Sequence, residues 1–206
     1  VLVVVTYLLC IFGTFLTRSG IVSSVHAFAE SDFAQIFLLF IVLVALSCAA
    51  LIFYRLPLLK SENELDSMIS KESGFLYNNL LFLVACFAVL WGTMFPVLSE
   101  AIQGEKAMVG PAWFNRVNVP IGLALLALTG IGPLLAWRKS SFESLKRNFT
   151  FPLISGLATA IVLFALGIWH VYALICFALS VFVTATIVQE FHKGAKARRA
   201  HRGGSY

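Results

Sequence analysis

The sequence predicts an all-α, polytopic transmembrane helical bundle of about six spans. Three observations lead there. The chain is 60% hydrophobic and only 12% charged, whereas a soluble domain carries roughly a quarter charged residues. Its mean hydropathy is +0.91. Its apolar residues are gathered into long runs, to be judged against the roughly 20 residues that cross a bilayer as helix.

The runs follow in order. The first, 1–16, is slightly short, as a helix cut at its start would be; the second covers 33–54 and the third 75–98. The fourth covers 119–137, the fifth 151–169 and the sixth 171–191, leaving no room for a sizeable soluble core. The whole chain, 1–206, reads as a single membrane domain. It begins at Val1 inside an apolar run, with no initiator Met and no basic leader, so it is expected to be a fragment of something longer.

Orientation follows from the basic residues. With the start inside, the inner segments hold 12 Lys and Arg, from Arg55 to Arg202, and the outer segments hold three: Arg18, Lys106 and Arg116. Both ends are therefore expected on the cytoplasmic side, with the segments 17–32 and 99–118 as outer loops. The net charge of +5 is a matter of membrane orientation, not of nucleic-acid binding. The tail 192–206, with His192 and His201 among its basic residues, reads as an inner-surface anchor on anionic lipid.

Between the second and third runs, Ser61-Glu62-Asn63-Glu64 followed by Leu65, Met68 and Ile69 predicts a short amphipathic helix lying on the inner surface. In the fourth run, Gly130, Gly132 and Pro133 mark a kink or a close helix contact. The fifth and sixth runs are separated only by Trp169-His170-Val171, a tight helical hairpin. His170 at its tip is either a solvated interfacial histidine or a second ligand.

Four cysteines, Cys10, Cys48, Cys86 and Cys176, fall one to a run with no Cys-x-x-Cys. They form neither a zinc motif nor a covalent haem attachment site and read as small apolar filler. Glu100 and Glu190 lie near run ends and no ionisable group lies deep in a run, which argues against an ion-coupled transporter or proton pump.

The stretch 17–29, Thr-Arg-Ser-Gly-Ile-Val-Ser-Ser-Val-His-Ala-Phe-Ala, carries the candidate site. Counted at about 100° per residue as a helix, Ile21, Val22, Val25, Phe28 and Ala29 share one apolar face and His26 falls at its border. Such a helix lies flat in the interface with the imidazole at the water line. Neutral imidazole ligates haem iron and other transition metals, and an apolar surface suits a porphyrin face. A structural histidine is the other reading of the same residue. On the outer segment 99–118, Trp113 and Phe114 beside Asn115 and Arg116 are either an apolar platform for a ligand or partner or an ordinary aromatic belt.

Gly13-Thr14-Phe15-Leu16-Thr17-Arg18-Ser19-Gly20-Ile21, followed by Ser24-Val25-His26-Ala27-Phe28, resembles the signature of the CcmF/NrfE-type cytochrome c haem lyases. Three further stretches resemble the same family in the same order: Trp91 to Pro96, then Gly110 to Asn115 with Pro120, then Gly130 to Leu135 with Trp137. The ordered set covers most of the first 140 residues and is far more specific than any one piece.

The resemblance implies a part in bacterial cytochrome c maturation, in the cytoplasmic (inner) membrane with the His26 segment on the periplasmic side. Such proteins take haem from the haem chaperone CcmE and position it for thioether attachment to the thiols of a Cys-x-x-Cys-His motif in apocytochrome c. Other Ccm subunits, thioredoxin-like and apocytochrome-handling, are the implied partners besides membrane lipid; nucleic acid is not one. His26 matches the second of a pair of outer histidines that ligate the incoming haem iron. Val22, Val25 and Phe28 would line the haem pocket, and Trp113, Phe114, Asn115 and Arg116 are candidate outer-surface contacts.

The tryptophan-rich WWD segment and first outer histidine of the family would precede Val1. The two ligands of its separate haem b would lie upstream and beyond Tyr206, and His170 matches neither. The chain is thus expected to carry one of four haem ligands and not to be competent for the reaction alone. An NrfE-type protein acting on another apocytochrome, a membrane transporter or channel, and a non-catalytic assembly scaffold are the alternatives.

Overall fold

A computed structural model of the chain describes residues 1–21, 33–59, 67–136 and 141–203. Among them every regular element is helical: α1 (Leu2–Arg18), α2 (Phe33–Tyr54), α3 (Lys71–Gln103), α4 (Pro111–Ile131), α5 (Phe142–Ala165) and α6 (Val171–Gly203), with short 3-10 turns at Leu56–Leu59 and Gly132–Leu134. Five of these helices are long and apolar enough to cross a membrane, and α1, also apolar, is shorter at 17 residues. The expected all-α membrane bundle is the observed architecture.

Helix ends depart from the ends of the apolar runs, because hydropathy marks the lipid-soluble part of a helix and not where its hydrogen bonding stops. The segment 99–118, expected as a loop, is helical at both ends. α3 continues through Ser99 and Glu100 to Gln103, and α4 starts at Pro111. The basic tail expected from 192 is likewise helical as far as Gly203. At 33 residues α6 is about 50 Å long, well beyond the ~30 Å of hydrocarbon. The α5–α6 connection is wider than expected, with α5 ending at Ala165 and Gly167 turning the chain at φ +91°.

Of the amphipathic helix expected near 61–69, residues 60–66 lie outside the described residues, and Met68 and Ile69 sit in a bend. Serine hydroxyls explain why. Ser67 Oγ accepts from the Ile69 amide (3.2 Å) and Ser70 Oγ donates to the Ser67 carbonyl (2.9 Å), local bonds that compete with helix. Ser70 then caps α3, its Oγ accepting from the Ser73 amide at 3.1 Å.

The chain divides into two compact units, 1–64 with 92–109 and 65–91 with 110–206. In the first, α1 packs on α2. Phe15 is buried there, with its ring 6.2 Å from Phe12 and 6.0 Å from Phe37. Ser99 Oγ, donating to the Pro96 carbonyl and accepting from the Ala107 amide, folds the segment after α3 back onto the helix end.

In the second unit α6 packs along α5 and α4. The core is Leu134, Phe182 and Val183, with Leu126, Ile131 and Phe149 against it. Two glycines make the contact possible. A Cβ on Gly130 would stand 2.5 Å from Phe182 Cε1, and one on Gly156 would stand 2.9 Å from the Ala178 carbonyl oxygen. Small residues that let helices approach are how membrane helices gain van der Waals contact.

A polar bracket completes this unit. Pro152, inside α5, has no N–H to give the Asn148 carbonyl four residues earlier. Gln189 Nε2 of α6 donates to that carbonyl instead, at 3.0 Å. Asn148 Nδ2 donates to the Leu134 carbonyl (3.3 Å) and its Oδ1 accepts from Lys193 Nζ (2.9 Å). One asparagine thus ties the end of α4 to α5 and α6.

Candidate functional site

The start of the candidate segment is a helix stop. Ser19 caps α1, its amide donating to the Phe15 carbonyl at 2.8 Å, and Arg18 lies in the last turn, where a cation favours the helix dipole. Gly20 follows at φ +71°, the left-handed conformation that glycine adopts without strain after a helix C-terminus. Thr14 and Thr17 turn their hydroxyls onto the Cys10 and Thr14 carbonyls. The Thr17-Arg18-Ser19-Gly20 stretch therefore ends α1 sharply and releases the chain toward His26. His26, Val22, Val25 and Phe28 lie outside the described residues.

The second candidate group is set by a helix start. Gly110 is the N-cap of α4, extended at φ −93° and ψ 175°, and Pro111 takes the first helical position, where its missing N–H costs nothing. Trp113 and Phe114 therefore stand on the first turn, not on a loop. Their rings meet edge to face, 5.2 Å between centroids and 90° between planes, a favoured aromatic geometry. Both are half-buried while Asn115 and Arg116 are exposed. Arg116 lies three residues from Trp113, on the same helical face, and makes no salt bridge to a carboxylate among the described residues. An aromatic edge flanked by a guanidinium suits a flat apolar ligand or partner that carries acid groups.

His170 is exposed in the α5–α6 connection, where its carbonyl accepts the Leu174 amide at 3.0 Å. Its neighbour Trp169 leans on Phe164, 5.6 Å between rings. Among the described residues no three His, Cys, Asp or Glu gather into a metal cluster, and the four cysteines are unpaired.

Reasoning from sequence missed two structural groups at the far end of α4 from Trp113, the Ser70 cap of α3 and the Asn148 bracket. The second had a signal, a proline four residues after an asparagine inside an apolar helix.

No family model matches the chain, and no solved structure matches it. Curated relatives do. The chain is 36% identical over 168 residues to the cytochrome c-type biogenesis protein CycK of Rhizobium meliloti, covering 81% of this chain and 25% of that protein. It is 35% identical over 209 residues to CcmF of Pseudomonas aeruginosa, covering 95% of this chain and 31% of that protein. It is 35% identical over 134 residues to NrfE of Haemophilus influenzae, covering 65% and 21%. The chain spans about a quarter to a third of the length of these first two relatives. Together with an all-helical membrane architecture and the ordered motifs at the ends of α1 and α4, these relatives show that the chain belongs to the CcmF/CycK/NrfE family of cytochrome c-type biogenesis proteins.

Proposed function

We propose that this chain is part of a cytochrome c haem lyase of the bacterial inner membrane, with both of its ends cytoplasmic and the 17–32 segment periplasmic. In this reading haem is a substrate handed over by the chaperone CcmE, and apocytochrome c is the acceptor, with other Ccm subunits completing the assembly. The observation that carries the reading is the identity with a CcmF protein along 95% of the chain. Twelve of 15 Lys and Arg on one side of the spans support the orientation.

Attachment adds a thiol S–H across a vinyl C=C, with no leaving group, so what the protein must supply is alignment. His26 would hold the haem iron through a neutral ring nitrogen. Val22, Val25 and Phe28 are the candidates for an apolar lining that would exclude water. Gly20 ends α1 ahead of that segment; in the other unit, Trp113 and Phe114, with Asn115 and Arg116, are candidate contacts for the apocytochrome.

The test is His26→Ala at the chromosomal copy. The variant is expected to insert normally and to lose haem captured from the chaperone, seen as the loss of the haem absorption band from the purified protein and of haem-stained cytochrome c. Normal cytochrome c and retained haem would make His26 structural and leave an assembly scaffold as the function. The relative NrfE supports a second choice of acceptor within the same chemistry.

A further inference from the structure

Where α3 starts and α4 ends, the helices of the second unit leave space between them. Two adjacent cavities of about 480 and 530 Å³ share Gly74, Leu128 and Gly132 in their walls, each within the size range of small-molecule pockets. The walls are mostly apolar, with Phe75 and Pro133 in one and Leu145 and Phe149 in the other. Each also has one ammonium, Lys71 in the first and Lys146 in the second. Neither makes a salt bridge among the described residues, and Glu72 and Glu143 line neither cavity.

Two hydrogen bonds bring the helix starts that carry these lysines to the same end of α4. The Lys71 amide donates to the Ala136 carbonyl at 2.9 Å, and Asn148, two residues after Lys146, donates from its side chain to the Leu134 carbonyl at 3.3 Å. The starts of α3 and α5 and the end of α4 therefore share one edge of the unit. The Ser70 hydroxyl is already engaged in capping α3, and Lys71 and Lys146 are the charged side chains among the residues lining the two cavities.

We propose that these cavities bind one anionic phospholipid, its acyl chains lying along the apolar walls and its phosphate between Lys71 and Lys146. An apolar cavity open to a bilayer has too few polar partners to hold water and fills with the hydrocarbon beside it. Lysine stems lie along apolar surface while their ammonium groups reach headgroup depth. A net negative headgroup satisfies both ammonium groups, whereas a zwitterionic one brings its own cation into the same place.

The chain is purified in neutral detergent and titrated with phosphatidylglycerol or with phosphatidylcholine of the same acyl composition, and bound lipid is counted by native mass spectrometry. One phosphatidylglycerol is expected to be retained in preference to phosphatidylcholine. Lys71→Gln and Lys146→Gln should each weaken that retention about fivefold, while Lys71→Arg with Lys146→Arg keeps it. The tail variant Lys196→Gln/Arg198→Gln/Arg199→Gln should leave it intact, separating the cavity from the basic end of α6. If the glutamine variants lose helix by circular dichroism, Leu128→Trp, which fills the shared wall without changing charge, should abolish retention. Equal retention of the two lipids, unchanged binding in a folded double-glutamine or Leu128→Trp variant, or loss on the tail variant alone would overturn the proposal.

Discussion

Gly13 of α1 and Gly156 of α5 both sit inside apolar helices, yet only one is there for a contact. A Cβ on Gly13 meets nothing within 4 Å among the described residues, whereas one on Gly156 would collide with the Ala178 backbone. The contrast extends to the pairs of helices they belong to. α1 meets α2 through the rings of Phe15 and Phe37, and α2 has no buried position in its most apolar window. α4, α5 and α6 close around Phe182, seated against Gly130 and Gly156, and are laced together by Asn148, Gln189 and Lys193. Hydrophobicity alone cannot distinguish the two regions, since lipid is as apolar as leucine. Close approach and polar satisfaction do.

The largest effect is expected from removing the ring that the glycines accommodate. Phe182→Ala should cost about 3 kcal/mol, read as the loss of the second unit's unfolding transition in detergent, with the α1–α2 signals unchanged. Next, Gly156→Ala should destabilise by about 1–3 kcal/mol, since the clash is with backbone. Gly13→Ala should instead stabilise by about 0.5–1 kcal/mol, from helix propensity. If the two alanines had the same sign in thermal unfolding, the distinction between the regions would fail.

Smaller still, Asn148→Ala should cost about 1 kcal/mol, within the range for hydrogen bonds between membrane helices, and should speed hydrogen exchange at the junction of α4 and α5. The smallest change concerns Thr186 of α6, fully buried with a hydroxyl that has no partner among the described residues. Thr186→Val should be neutral or stabilising by up to about 1 kcal/mol, because it removes an unsatisfied group. A clear loss of melting temperature would mean that the hydroxyl has a partner, such as water or lipid.

Much of the molecule was legible in its residues. Runs of apolar residues as long as a bilayer admit little but helix, because every backbone group must be paired within the segment. Gly130, Gly132 and Pro133 could be read as a kink or a close helix contact, and α4 does give way to a 3-10 turn at Gly132 while Gly130 receives the Phe182 ring. The capping box at Ser61 misled as far as Met68 and Ile69, where the hydroxyls of Ser67 and Ser70 bend the chain. The helical extents of 99–103 and 192–203 were hidden because hydropathy falls at the membrane boundary while hydrogen bonding does not.

The sequence by itself determined the helical class, the family motifs and His26 as the ligand candidate, all of which depend on neighbours along the chain or on residue chemistry. Only the tertiary structure decided that Gly130 and Gly156 receive Phe182, and that Gln189 answers the carbonyl freed by Pro152. It also decided that Lys71 and Lys146 flank adjacent apolar cavities. The reason is physical. Glycine, proline and lysine each permit several outcomes in an apolar helix, and which one occurs depends on what stands across from them, dozens of residues away in the chain.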